Sequence, residues 1–238
     1  MNFNFRNLCD FLFAKRCKIC GEMNEENNLC FSCFSSLKHL VLGCKKCQQP
    51  LSYVGKEIDV CSVCIDKDYS FFDEMISAFI YNEFLKKHII KLKNNNDFYL
   101  SDVFCSFLVK KIKHMVNSSF IIAPIPLHSL KLYKRGYNQS LILAKSVAKQ
   151  AKIICIHDLF ERTKNTYTQA NKTQKERETN VKDAFIFNKK YKLFIKDKTI
   201  LIIDDIITTG ATIFECAKTL KNIQNKGIKL LSIGRRIK

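Results

Sequence analysis

Glycine and proline are scarce in this chain, at 7 and 3 of 238 residues. That leaves no Gly/Pro-rich linker. The only low-complexity run, residues 94–96, reads as an Asn turn or linker after a short helix. Apolar runs are short as well. None approaches the roughly 18–20 residues of a membrane-spanning helix, so no membrane insertion is expected. Residues 1–18 are aromatic but broken by Arg6, Asp10, Lys15 and Arg16, and they lack a clean apolar stretch with a small-residue cleavage site. No signal peptide is therefore expected, and a cytoplasmic location follows. Acidic residues are also few, with Asp+Glu 22 against Lys+Arg 40, for a formal net charge of +18. What the chain does have is apolar character, 47% of residues, enough to bury a core and exclude wholesale disorder.

Charge and cysteine are unevenly divided. Residues 1–70 hold 9 Lys/Arg, 8 Asp/Glu and 9 of the 12 cysteines. Residues 71–238 hold 31 Lys/Arg against 14 Asp/Glu, and only Cys105, Cys155 and Cys216. Two opposite shifts at one place predict two domains, 1–70 and 71–238. A positive field of this size draws in polyanions such as nucleic acid or phosphate-rich substrates. Lysine-rich composition also serves simply to solvate a surface, so charge alone does not decide.

Four knuckles stand in the first part: Cys17-x2-Cys20, Cys30-x2-Cys33, Cys44-x2-Cys47 and Cys61-x2-Cys64. In a reducing compartment such pairs supply four thiolates to a tetrahedral ion rather than forming disulfides. A thioredoxin-like redox motif needs one C-x2-C in a βαβ context, not four in series. The expectation is about two structural zinc ions. Sequential pairing of the knuckles is the default and an interleaved arrangement is the alternative. Gly21, Gly43 and Gln48-Gln49-Pro50 sit where knuckle turns need them. Each four-thiolate zinc carries a net −2, so this is not the polyanion-binding part. Cys9, Cys105, Cys155 and Cys216 read as buried small hydrophobes.

The most informative segment is Thr199-Ile-Leu-Ile-Ile-Asp-Asp-Ile-Ile-Thr-Thr-Gly-Ala-Thr212. Residues 200–203 form a continuous apolar run, as in a central parallel strand buried on both faces. Asp204 and Asp205 stand at its carboxyl end. Thr208, Thr209, Gly210, Ala211 and Thr212 then lead into an amphipathic helix with Ile213, Cys216, Ala217, Leu220 and Ile223 on one face. Loop N–H groups, hydroxyls and the helix dipole converge on one phosphate, and Gly210 lets the backbone approach it. The adjacent carboxylates suit vicinal sugar hydroxyls, with Mg²⁺ nearby.

Further segments add to this. Phe120-Ile-Ile-Ala-Pro-Ile-Pro126 is a strand closed by its prolines. Lys134, Arg135 and Gly136 then form a turn, and Asn138 caps a helix with Leu141, Ala144, Val147 or Ala148, and Ala151 inward. Lys134 and Arg135 thereby stand on the side where open α/β sheets bind ligands. Residues 162–180 are polar and lack Gly and Pro, and read as a mobile lid carrying Arg162, Gln169, Arg177 and Asn180. Arg177 and Asn180 equally suit a capping role. Lys91 and Lys93, after Ile89-Ile90, read as a solvated helix end, with reach to a phosphate as the other reading.

The segment 199–212 resembles the ribose-phosphate loop of type I phosphoribosyltransferases. Ala123-Pro-Ile-Pro-Leu127, Lys134-Arg-Gly-Tyr-Asn-Gln139, and Arg162, Gln169 and Arg177-Glu-Thr-Asn-Val-Lys-Asp-Ala-Phe185 are similar to the ComF family in particular. With the knuckles in front, the resemblance covers nearly the whole chain. It implies an α/β fold of the type I phosphoribosyltransferase kind, a mostly parallel sheet flanked by helices, behind a small double zinc ribbon. It implies binding of phosphoribosyl pyrophosphate with Mg²⁺ by Asp204, Asp205 and the loop, with the carboxylates as the catalytic residues. Lys134, Arg135 and Gly136 fall on the diphosphate side. The resemblance further implies handling of single-stranded DNA in natural transformation, alongside other DNA-uptake machinery. Three readings stay open: a phosphoribosyltransferase with an unread acceptor, a DNA-uptake factor using the site as sensor or scaffold, and a plain nucleic-acid-binding protein.

Overall fold

The computed structural model describes residues 15–24, 29–41, 43–51, 59–67, 69–94, 99–165 and 174–237. Two one-turn helices come first, α1 (Phe31–Ser36) and α2 (Ser62–Asp66). Then follow β1 (Glu74–Ile80), α3 (Glu83–Asn94), α4 (Tyr99–Ile112), β2 (Phe120–Pro124), α5 (Ser129–Arg135), α6 (Gln139–Ala151), β3 (Ile154–Cys155) and β4 (Phe160–Arg162). The chain continues with α7 (Gln174–Val181), β5 (Phe185–Phe187), β6 (Thr199–Ile207), α8 (Ala211–Lys218) and β7 (Gly227–Arg235).

Five strands pair in the order β1-β7-β6-β2-β3, every pairing parallel, while β4 and β5 form a separate antiparallel pair. The apolar run of β6 takes the centre, with Ile200, Leu201, Ile202 and Ile203 all wholly buried. A strand covered by helices on both faces has no reason to alternate polar and apolar residues, and this one does not. Register sets Pro124, the end of β2, beside Ile203 with Leu231 on its other side, while β6 and β7 run on together to Ile207 and Arg235. The carboxyl ends are therefore stepped, with Asp204 and Asp205 just past that of β2. A ligand site outside them is thereby framed.

Each sheet face has its own core. On the first, Leu201, Ile203, Leu231 and Ile233 pack with Leu85 and Ile89 of α3, Phe104 and Leu108 of α4, and Leu143 and Val147 of α6. On the second, Ile200, Ile202 and Leu230 pack with Ile213, Cys216 and Ala217 of α8 and with Phe160 and Phe185. Asn138 caps α6 by accepting from the Ser140 N–H, as expected, but Leu143 rather than Leu141 turns into the core.

Packing runs on across residue 70, where the composition shifts. Cys17, Leu29, Cys33 and Leu37 join the first core, and Cys44 and Cys47 join the second. The outer edge of β1 is satisfied from the same part of the chain. Leu40 N–H donates to Ala78 (3.1 Å), Ile80 N–H to Lys38 (2.7 Å) and Met75 N–H to Lys46 (2.9 Å). An edge strand is thus covered rather than left open to another chain.

Candidate functional site

The cysteines gather as the sequential pairing requires: Cys17, Cys20, Cys30 and Cys33 in one cluster, Cys44, Cys47, Cys61 and Cys64 in the other. Within each, all sulfurs lie within 4.8 Å of one another. Zn–S bonds of ~2.3 Å in a tetrahedron put sulfurs about 3.8 Å apart. The Cys20–Cys30 and Cys47–Cys61 sulfurs, each 3.6 Å apart, fit that and are far from disulfide length. Both clusters can hold a zinc ion, and the interleaved alternative is set aside. The second half of each is built alike: Cys30 and Cys61 are the N-caps of α1 and α2, whose first turns carry Cys33 and Cys64. Gly21 (φ +80°) and Gln48 (φ +60°) make the left-handed turns after Cys20 and Cys47. Burial raises the Cys33, Cys47 and Cys64 thiols and works the same way at Cys44 and Cys17. At Cys44 the N–H groups of Cys61, Cys47 and Lys46 more than offset it, bringing the pKa to about 7; at Cys17 those of Cys20, Cys30 and Ile19 bring it to about 6. Each cluster therefore holds one thiol ready to ionise for a metal. Cys105 and Cys216 are buried as expected, Cys155 is half-buried, and Cys9 lies outside the described residues.

Just past the end of β2, the adjacent acids of β6 take different partners. Asp205 turns to the first face and is buried in an ion pair with Lys93 from the last turn of α3. Burial works against the Lys93 charge, but the Asp205 carboxylate outweighs it and the Lys93 pKa is raised. Lys93 is therefore no solvated helix end. Asp204 Oδ1 accepts from the Ser140 hydroxyl at the start of α6 (2.9 Å) and from the Asp205 N–H (2.9 Å). Burial, then the neighbouring Asp205 charge, pushes its pKa up to about 7. The pair is thus partly neutralised from within, Asp205 by a lysine and Asp204 by a proton that it takes up near neutral pH.

The loop behaves as its composition requires. Gly210 is the N-cap of α8 at φ +86°, and a Cβ there would stand 2.4 Å from the Phe214 ring. Only glycine meets both conditions. Thr209 Oγ1 accepts from the Ala211 N–H (3.3 Å), and Thr208, Thr209, Ala211 and Thr212 are half-buried around the helix start.

Cations surround this centre. Arg162, closing β4, stacks over the Phe185 ring at 5.2 Å and its charge is felt by Asp204. It therefore belongs to a strand rather than to a lid. Arg135 donates to Gln139 Oε1 (2.8 Å), and Gln139 is buried with its Nε2 lacking a partner. Lys131 has its pKa lowered by burial and then by the nearby charges of Arg162 and Arg135. Gly136 (φ +78°) is the C-cap that turns α5 toward α6, and Lys134 is exposed on α5. Asn180 is half-buried in the last turn of α7, an element the lid reading did not foresee. Gln169 lies outside the described residues, as does the side chain of Arg177. Sequence reasoning passed over Ser140, Gln139 and Lys131 and misread Lys93. For Lys93 there was a signal: with Leu85, Ile89 and Leu92 it completes a helical i, i+4, i+7, i+8 face.

A family model described as a phosphoribosyl transferase domain matches residues 138–236, from the cap of α6 through β7. The chain is 28% identical over 230 residues to competence protein F of Haemophilus influenzae, covering 94% of this chain and 98% of that protein. It is 26% identical over 240 residues to competence protein ComFC of Streptococcus pneumoniae, covering 92% and 100%. A third relative, DNA utilization protein YhgH of Salmonella typhimurium, is 24% identical over 197 residues, covering 81% and 83%.

Proposed function

We propose a function from one premise: the chain belongs to the ComF family. On that premise, the strand-end site takes phosphoribosyl pyrophosphate. Residues 208–212 and the N-terminus of α8 receive the 5′-phosphate, Asp204 and Asp205 receive the ribose hydroxyls, and Lys93, Lys131 and Arg135 face the diphosphate. Asp205 and the diphosphate oxygens are the groups that would hold Mg²⁺, which would supply charge neutralisation for a departing diphosphate. The observation that carries this reading is the juxtaposition of a glycine-capped helix start with an acid pair and nearby cations just past the end of β2.

The protein also binds single-stranded DNA, in this reading, and serves DNA uptake during natural transformation. Charge supports it, and so does α5, where Tyr133 stands 89% exposed with the exposed Lys134 next to it in the chain. An open ring beside lysines suits base stacking with backbone neutralisation. Tyr137, the other aromatic considered for stacking, is half-buried with its hydroxyl donating to the Leu92 carbonyl (2.8 Å). The zinc clusters are structural, with no coordination position left open by four thiolates.

Calorimetric titration of the full chain with phosphoribosyl pyrophosphate and Mg²⁺ tests the ligand. Asp204→Asn with Asp205→Asn is expected to abolish that binding and leave salt-dependent DNA binding intact. Unchanged ligand binding in the double variant would refute the site assignment. Affinity for DNA that ignores salt would refute the electrostatic interface. Diphosphate release with candidate acceptors then separates a transferase from a sensor, a choice that fold alone does not make.

A further inference from the structure

Arg235 ends β7 and is only 4% exposed, although nothing in the strand pattern calls for an arginine there. Its guanidinium donates through Nε to the Cys47 carbonyl (3.2 Å) and through Nη1 to the carbonyls of Ile207 (3.2 Å) and Thr208. One rigid planar group thus spans the second cysteine cluster and the first residue of the ribose-phosphate loop. A buried guanidinium needs negative charge around it. Among the described residues no carboxylate forms an ion pair with Arg235. Burial lowers its pKa, and the Cys47 sulfur, with Tyr69 and Cys64, opposes that. Four thiolates on one Zn²⁺ would supply a net −2 at that place.

A second line of contact runs the same way. Lys46, between Cys44 and Cys47, lies over the Phe72 ring at 4.5 Å and also donates to the Phe72 carbonyl. Phe72 stacks on Phe214 (5.3 Å, 13°), the ring that Gly210 lies against. The first cluster shows nothing comparable. Its cysteines join Leu37 and the core around α4, and no hydrogen bond among the described residues links them to 207–212.

We propose that Arg235 is a positioning residue through which the second four-cysteine cluster fixes the backbone of the ribose-phosphate loop, while the first cluster supports the fold alone. The inference rests on the proposed function only for what the loop holds. Its test uses the zinc-loaded full chain and amide hydrogen exchange at residues 208–212, which requires no ligand. Arg235→Gln is expected to raise exchange there about tenfold with the zinc content unchanged. Arg235→Lys, which keeps the charge but cannot span both carbonyls, should resemble it. Cys61→Ser with Cys64→Ser should open the loop, and adding Arg235→Gln should open it little further, because both changes cut one connection. Cys17→Ser with Cys20→Ser should leave loop exchange within about twofold of wild type. Unchanged exchange in Arg235→Gln, full protection in Arg235→Lys, or equal opening from the two cysteine lesions would each overturn the proposal. Should Arg235→Gln fail to fold, Arg235→Lys carries the comparison. Ribose 5-phosphate titration is run in parallel. Failure of wild type to bind it would remove the proposed function and leave the exchange result standing.

Discussion

The two faces of the sheet use similar parts differently. Each carries one four-cysteine cluster built from C-x2-C knuckles, but the clusters have different surroundings. On the first face the acid, Asp205, is held by an ion pair with Lys93, and the cluster leans on helices with Cys20 exposed. On the second the cluster reaches the backbone of Ile207 and Thr208 through the guanidinium of Arg235. The first face fixes charge; the second fixes backbone. Spacing in the sequence sets what a knuckle can bind, and the surface it lands on decides what else it does.

The comparison can be broken most severely by removing metal. Both clusters feed a core, so chelation under reducing conditions should abolish the cooperative melt of the whole chain, not merely of residues 1–70. A chelated protein that still melts near the wild-type temperature would contradict this. The next effect separates two glycines with nearly the same backbone. Gly210→Ala must meet the Phe214 ring as well as a φ of +86°, whereas Gly21→Ala, at φ +80°, meets nothing within 4 Å among the described residues. Expected losses are about 2–4 kcal/mol for Gly210 and about 1 kcal/mol for Gly21 in denaturant melts. Equal losses would show that strain alone matters.

On the first face, Lys93→Met leaves Asp205 buried without its cation. A loss of about 1–3 kcal/mol is expected, at the low end for a buried pair because the Lys93 side chain is 32% exposed. Asp205→Asn in the same background should recover much of it, and an additive double variant would deny the pair. The smallest effect belongs to Asp204 and depends on pH. Asp204 titrates near 7 when folded against an ordinary value of 3.8. Between these the folded chain keeps a proton that the unfolded chain has released, so stability from this group falls as pH rises through the window. Asp204→Asn should therefore melt several degrees above wild type at pH 8 and level with it at pH 4. A difference that does not change with pH would refute the raised pKa.

What could be read in advance was whatever depends on neighbours in the chain. The knuckles, the apolar run of β6, the Thr-Thr-Gly-Ala-Thr turn and the Asn138 cap are all local patterns that the structure holds. The face of α8 holds through Ile213, Cys216 and Ala217, and the helix stops at Lys218, short of Leu220 and Ile223. Lys93, Ser140 and Arg235 were not legible in that way. Their partners are Asp205, Asp204, and the carbonyls of Cys47 and Thr208, brought near only by the crossovers of a parallel sheet. The same physics explains the lid. Polarity between 162 and 180 is real, but Arg162 finds an aromatic ring and a distant carboxylate, and these hold it on a strand. Leu143 replaced Leu141 in the core because several apolar residues in α6 fit a helical stripe, and the sheet chooses among them.

One feature of the sheet bears on how the protein is made. β1 emerges early from the ribosome, yet its partner in the sheet, β7, is the last strand synthesised. At ordinary elongation rates the delay is on the order of ten seconds. For that interval the inner edge of β1 has no strand to pair with. Its outer edge is different, because the segments that cover it, around Lys38, Leu40 and Lys46, have already been made and lie beside the knuckles. Zinc capture by the nascent chain would fold those segments first and halve the open edge offered to other nascent chains. A cell short of zinc would then lose this protein during translation, to aggregation, rather than later through loss of a finished site.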